Sequence, residues 1–373
     1  MVNQKERRRF LKVFSLGTFF AGSTFSFGKS RALSKGESGL SDRANPSERK
    51  GDGDTLRNGQ HNLIKIDIFT HIIPSRYAAA LEKIAPVPPM LSDLDKRFKA
   101  MDQLGELLQV LTLGQPPIEN LPDPVKAVDL AKMANDGMAE MVTRYPDRFV
   151  GATAALPMNN MDAAIKELDR AIKDLNLKGI QIFTSINGKP LDSPEFMPLY
   201  EIMSQYDLPI WIHPLSHENQ TYYPGEQEPM NNLDPIIGWP HATSMAMMRI
   251  AGSGVLERFP NLKFITHHAG GTVPYLAKRI ERSPYEFKSL SRPIIESLSL
   301  FYFDTAVQGN TANLTCANAF CGADHQLFGT DFPMADPSMV KEVIRSINEM
   351  NLTDTDKQRI FADNARRMLR LNL

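Results

Sequence analysis

Ile64-Lys65-Ile66-Asp67-Ile68-Phe69-Thr70-His71-Ile72-Ile73-Pro74 is an apolar run of strand length that passes into a polar turn bearing a histidine. A barrel strand delivers a side chain to a catalytic mouth in this way. Three later stretches end alike: Leu208-Pro209-Ile210-Trp211-Ile212-His213-Pro214, Lys263-Phe264-Ile265-Thr266-His267-His268-Ala269-Gly270-Gly271, and Leu327-Phe328-Gly329-Thr330-Asp331-Phe332-Pro333. Four strand ends therefore bring coordinating or proton-moving groups to one place.

Working outward, the chain alternates strand and helix. Strands are expected at Ile64 to Phe69, Leu107 to Leu113, Phe149 to Leu156, Lys178 to Phe183, Leu208 to Ile212, Lys263 to Thr266, Leu300 to Asp304 and Gln326 to Gly329. Between them the 3.6-residue spacing of apolar side chains predicts helices over Asp123 to Tyr145, Met161 to Leu175, Met197 to Tyr206, Thr243 to Phe259, Val273 to Arg282 and Asn313 to Cys321. Val125, Val128, Ala131, Met133, Met138 and Met141 form the apolar face of the first of these. Two more helices, Ser338 to Met350 and Asp354 to Leu371, close the chain. An insertion from Ser75 to Leu104 contains Pro86-Val87-Pro88-Pro89, which breaks any long helix. The Gly/Pro/Asn-rich stretch from Ser216 to Gly238 is a long loop, and loops of that length in a compact domain usually serve function. Eight strands alternating with helices predict an α/β fold, a single (β/α)8 barrel of the TIM type. A doubly wound open sheet is the alternative, but no Gly-x-Gly-x-x-Gly turn follows an early strand.

The chain has 373 residues, 42% hydrophobic and 23% charged, with a formal net charge of -1. That is enough for one large α/β core. No basic block in the body offers counterion-release binding, so nucleic acid is excluded as a partner. Two cysteines, Cys316 and Cys321, fall inside one expected helix and read as packing thiols, not a disulfide framework.

The first sixty residues differ in character. Arg7-Arg8-Arg9-Phe10-Leu11-Lys12 precedes Val13 to Gly28, an apolar run too short and too rich in Gly, Ser and Thr to span a bilayer. Residues 1–32 resemble a twin-arginine export signal, although Glu6 stands where Ser or Thr is usual and Ser30-Arg31-Ala32 is a weak cleavage site. This reading makes the twin-arginine translocation machinery a partner and the periplasm the destination, with a retained N-terminal anchor or a plain basic tail as alternatives. Residues 33–61 lack periodicity and read as a disordered linker, and the folded domain is expected over 62–373.

A strand-end histidine can ligate a metal, move a proton, or simply be a capped polar residue. Of eight histidines, five (His71, His213, His217, His267 and His268) fall at or just after an expected strand end. His71, His213 and Asp331 together offer two imidazoles and a carboxylate, a set suited to one divalent ion, zinc first and manganese second. Side chains expected to line a substrate pocket are Gln115, Phe183, Tyr222, Tyr223 and Trp239, with Phe69 beside the ligands.

These fragments, taken in order, resemble the amidohydrolase-related family, in the branch of aminocarboxymuconate-semialdehyde decarboxylase and the resorcylate-type decarboxylases. The resemblance runs from Ile64 to Leu371 and rests on Ile66-Asp67-x-x-x-His71-x-x-Pro74, Ile212-His213-Pro214, Gly238-Trp239-Pro240, Ser253 to Lys263, His268-x-Gly270-Gly271-x-x-Pro274, Gly329-Thr330-Asp331-Phe332-Pro333 and Asp363-Asn364-Ala365-Arg366-Arg367. It implies that His71, His213 and Asp331 ligate the metal, that Asp331 also holds its water, and that His268 is the catalytic histidine. His267 becomes a packing or hydrogen-bonding neighbour, and a homodimer is implied. One position departs: Phe69 stands where the family has a first strand-one ligand histidine. Three functions stay open on this reading: a metal-assisted decarboxylase of a small aromatic or unsaturated acid, a hydrolase or hydratase of a lactone, ester or amide on the same site, and a metal-free binding protein. Asp67 and Thr70 are expected to support the turn by local hydrogen bonds.

Overall fold

The computed structural model describes residues 64–84, 86–121, 123–215, 223–227, 229–284, 287 and 289–373. The expected export segment and linker, together with Tyr222 and His217, lie outside the described residues. Eight parallel strands form the barrel: β1 (Lys65–Ile72), β2 (Leu107–Leu113), β3 (Phe149–Ala152, resumed at Ala154–Ala155), β4 (Ile180–Phe183), β5 (Pro209–His213), β6 (Lys263–Thr266), β7 (Tyr302–Asp304) and β8 (Gln326–Leu327). Each pairs with its sequence neighbour, as in Lys65 with Leu107, Ile180 with Ile210 and Phe303 with Gln326. Thr153 interrupts β3, yet its N–H still donates to the Leu111 carbonyl at 2.9 Å, so the wall is continuous.

The ring closes where the β8 end meets β1. Ile68 N–H donates to the Phe328 carbonyl at 2.9 Å, Asp331 N–H to Phe69 at 3.0 Å and His71 N–H to Phe332 at 2.6 Å. Asp67 reinforces this seam from the side chain, and here the expectation of purely local support is corrected. Its Oδ1 accepts from Phe69 N–H at 3.2 Å and from Thr330 N–H at 3.0 Å, and its Oδ2 accepts from the Thr330 hydroxyl. Thr70 likewise reaches outward, its hydroxyl donating to the Val110 carbonyl at 2.9 Å. Both side chains tie strands together because their own strand is buried on both faces and has no water to turn to.

The barrel interior is filled below the mouth by Ile66, Ile68, Val110, Trp211, Ile265 and Leu327, all buried. Trp211 crosses this interior, and its indole N–H donates to the Ile68 carbonyl at 3.0 Å, so the largest core side chain has its one donor satisfied. Helices cover the outside: Pro124–Arg144, capped by Asp123 at Val125 and Lys126, and Met161–Lys173, capped by Asn160 at Ala163.

Three helix expectations need correction. Val125 is 77% exposed and does not belong to the buried face of its helix. The helix expected from Thr243 begins at Trp239 and is led in by a π-helical turn over Asp234–Gly238, so the long loop is shorter than its composition implied. It is also two helices, Trp239–Gly252 and Val255–Arg258, split at Gly254, whose φ of 81° suits glycine and where a Cβ would lie 2.8 Å from the Ser289 carbonyl oxygen. The insertion after β1 forms two short helices, Ser75–Leu81 and Leu94–Met101, on either side of the proline break.

Candidate active site

β1, β5 and the segment after β8 bring three donors to the barrel mouth. His71 Nε2 lies 3.2 Å from Asp331 Oδ1 and 3.3 Å from His213 Nε2, so His71 is the hub of the group. The outer ring nitrogens are held in place. His213 Nδ1 faces the Pro214 carbonyl at 2.6 Å, which assigns the proton to Nδ1 and leaves Nε2 as a lone pair. The Thr112 hydroxyl donates to the Thr70 carbonyl at 3.2 Å and sits 3.0 Å from His71 Nδ1, so it accepts from His71, whose Nε2 is then a lone pair too. Burial, followed by the neighbouring His71 and His267, holds the His213 pKa well below the ordinary histidine range. Two imidazole lone pairs and a carboxylate thus face one another with no proton between them. That arrangement calls for a cation.

Among the described residues, no three His, Cys, Asp or Glu side chains already have the spacing that holds an ion. The two pairs that meet at His71 lie within 3.3 Å. Asp331 is the most exposed of the three. Its side chain is 22% exposed, and its backbone takes a left-handed φ of 67°, a conformation that aspartate tolerates better than most residues.

Phe69 fills the ground between the histidines. Its ring stacks on His267 at 3.5 Å between centroids, 14° from parallel, and meets His71 edge-on at 4.7 Å. His267 is wholly buried, with Nδ1 2.7 Å from Asp304 Oδ2, while Asp304 Oδ1 accepts from the N–H groups of Ala269 and Ala306. Its Nε2 is buried without a hydrogen-bond partner. His267 therefore behaves as the expected hydrogen-bonding and packing neighbour.

The next residue behaves differently because the backbone turns over. His268, Ala269, Gly270 and Gly271 all have positive φ, between 53° and 73°. Gly270 and Gly271 make this turn feasible, since a Cβ at either would fall 2.2 Å from Phe303 or from the Pro240 carbonyl oxygen. The turn leaves His268 half-buried, its Nδ1 on the Ala306 carbonyl at 2.9 Å and its Nε2 available for proton transfer.

Of the expected pocket residues, Phe183 and Trp239 reach the cluster. The Phe183 ring is 5.2 Å from His213, and Trp239 lies 6.4 Å from both His213 and His268, nearly parallel to the latter. Gln115 is half-buried in the turn after β2. Tyr223 is 63% exposed, so its expected role as a wall of the pocket is corrected.

Sequence reasoning missed Thr112 and Asp304, which orient His71 and His267, and also Arg97. Arg97 comes from the insertion helix, is buried, and donates from Nη1 to the His71 carbonyl at 2.7 Å and from Nε to Gln109 at 2.9 Å. Burial lowers its pKa to about 9, with the Asp67 carboxylate opposing, so it stays charged beneath the β1 end at neutral pH. It lies in the insertion, where only the proline break is read from sequence.

A family model described as Amidohydrolase matches residues 66–371. The chain belongs to the amidohydrolase family. Gamma-resorcylate decarboxylase of Rhizobium radiobacter is 30% identical over 302 residues, covering 76% of this chain and 89% of that one. The 2-amino-3-carboxymuconate-6-semialdehyde decarboxylase of Dictyostelium discoideum is 28% identical over 340 residues, covering 83% and 92%. Among solved structures, a dihydroxybenzoic acid decarboxylase from Polaromonas with bound manganese and the inhibitor 2-nitroresorcinol superposes with a TM-score of 0.67 at 25% identity, covering 83% of this chain and 98% of that one. Within the amidohydrolase family the chain groups with decarboxylases, and it is an enzyme of the decarboxylase type.

Proposed function

We propose that this enzyme carries out the non-oxidative decarboxylation of a small aromatic carboxylic acid, with His71, His213 and Asp331 holding one divalent cation. The observation that carries the proposal is the convergence of the two Nε2 atoms and the Asp331 carboxylate at the mouth, 3.2 and 3.3 Å from one another through His71. When bound, such a cation supplies Lewis-acid polarisation of a substrate oxygen. Manganese in the Polaromonas relative supports a divalent ion, and the two-imidazole, one-carboxylate set accepts manganese as well as zinc.

The chain's own residues do the rest. Phe69, Phe183 and Trp239 give the mouth aromatic walls that suit a planar ring and exclude water. As the bond between ring carbon and carboxyl carbon breaks, its electron pair stays on the ring carbon and CO2 leaves. His268, which has first taken up a second proton at Nε2 from solvent, then delivers that proton to the ring carbon and returns to the neutral ring, while Nδ1 keeps its hydrogen bond to the Ala306 carbonyl. The test is a screen of aromatic acids for CO2 release with and without a chelator. Release that is lost on chelation and restored by manganese or zinc supports the reading, and no release from any acid refutes it.

A second reading, a metal-free binding protein, has one observation behind it. Phe69 occupies the place of a family ligand and is stacked so tightly on His267 that it is part of the fixed wall.

Export through the twin-arginine pathway is proposed from Arg7-Arg8, the Phe10-Leu11-Lys12 that follows and the apolar run Val13 to Gly28. Replacing the pair with Lys-Lys keeps the charge and should trap the precursor in the cytoplasm. Unchanged periplasmic accumulation would count against it.

A further inference from the structure

Beside the histidine cluster, at the ends of β2, β3 and β4, lies a cavity of about 10 Å³, room for one water-sized group. Two polar side chains line it. Glu119, in the 3₁₀ turn Ile118–Asn120 after β2, is 6% exposed, and its Oε1 has no hydrogen-bond partner. Gln181 on β4 is also 6% exposed. Its Nε2 donates to the Leu113 carbonyl at 2.9 Å, while its Oε1 is unpartnered. The remaining walls, among them Leu113, Pro117 and Leu156, are apolar. Phe183 lines this cavity and also faces His213, so the chamber adjoins the place where the substrate ring would lie.

We propose that this chamber is a specificity subsite that receives one neutral hydroxyl group on the ring of the aromatic acid, with Glu119 donating to it and Gln181 accepting from it. Buried polar groups in native proteins find partners, and two polar side chains with an unpartnered oxygen line this one small cavity. Burial pushes the Glu119 carboxyl up to about 7, against a weaker opposing hydrogen bond from its own backbone N–H, so a protonated, donating Glu119 is accessible near neutral pH. A hydroxyl both accepts and donates, which matches one acid O–H and one amide oxygen. A carboxylate would meet the Gln181 oxygen lone pairs, and a ring amine, uncharged near neutral pH with its lone pair drawn into the ring, would accept poorly from Glu119. The decarboxylase reading enters only in placing the ring.

The test is calorimetric binding of benzoate, its mono- and dihydroxylated counterparts and the aminobenzoates to the full chain, with CO2 release measured in parallel. At least one hydroxylated acid should bind wild type about 10-fold or more tighter than benzoate, and tighter than the matching aminobenzoate. Glu119→Leu should bring that ratio close to one, and the near-isosteric Glu119→Gln should keep part of it. Thermal unfolding of both variants checks that they fold. No preference in wild type, a preference that survives Glu119→Leu, or a preference for the amine overturns the subsite, whatever the CO2 result. A preference that Glu119→Leu erases, with no CO2 from any acid, keeps the subsite and removes the decarboxylase reading.

Discussion

Two imidazole–carboxylate pairs stand side by side in the barrel mouth and are put together in opposite ways. In the first, His71 turns Nε2 toward Asp331 at 3.2 Å and keeps Nδ1 on Thr112, and the Asp331 side chain is partly open to solvent. In the second, His267 turns Nδ1 toward Asp304 at 2.7 Å, both groups are wholly buried, and Phe69 covers the ring. The first pair leaves its inner nitrogen facing a shared space with a partly exposed carboxylate, as ligation needs. The second is locked by two backbone N–H bonds to Asp304 and serves to hold the β6 turn that aims His268. Residue type alone does not distinguish a ligand from a strut. Which ring nitrogen is committed, and to what, does.

Substitutions should therefore separate the pairs. The largest effect on turnover is expected at His268, poised by the second pair: His268→Gln should lower turnover by about 10²- to 10⁴-fold while leaving bound metal in place. Steady-state kinetics and metal analysis on the same preparation check it, and wild-type turnover would remove His268 from the mechanism. Asp304→Ala should cost about 3–5 kcal/mol of stability, because it strands His267 and two backbone N–H groups in the core. Denaturant unfolding measures this, and a loss below about 1 kcal/mol would mean that the pair is no strut.

A smaller effect concerns pH. The folded-state pKa of Glu119 is raised from the usual 4.5 to about 7, so between those values the folded protein binds more protons than the unfolded chain. Stability from this group is thus fully present below about pH 4.5 and is lost as pH rises toward 7. Subtracting the Glu119→Gln profile from that of wild type should reveal a negative slope of up to about 1.4 kcal/mol per pH unit in that window. A flat or positive difference would contradict the burial that sets the shift.

The barrel and the first pair were legible in the sequence because strand periodicity and strand ends are local. His71, His213 and Asp331 each close an apolar run, and position along a strand gives the end of the barrel. What was not legible is what the closed ring brings together. Asp67 meets Thr330 across the seam, 263 residues away in sequence, and nothing local marks the partnership. Arg97 and Glu119 sit in the connections after β1 and β2, and only the packing of other segments over them reveals their burial. The early start of the helix at Trp239 is written in the sequence, since Pro240 suits a first helical turn.

The most direct measurement is the metal content of the purified wild-type chain after supply of manganese or zinc, set against that of Phe69→His. If His71, His213 and Asp331 form the ligand set, wild type carries close to one ion per chain, and Asp331→Ala loses it. Phe69→His, with its imidazole two residues from His71 on the same side of β1, binds the ion more tightly without faster turnover. A wild-type chain that carries none, while Phe69→His carries one, would contradict the ligand set and leave the metal-free reading in its place.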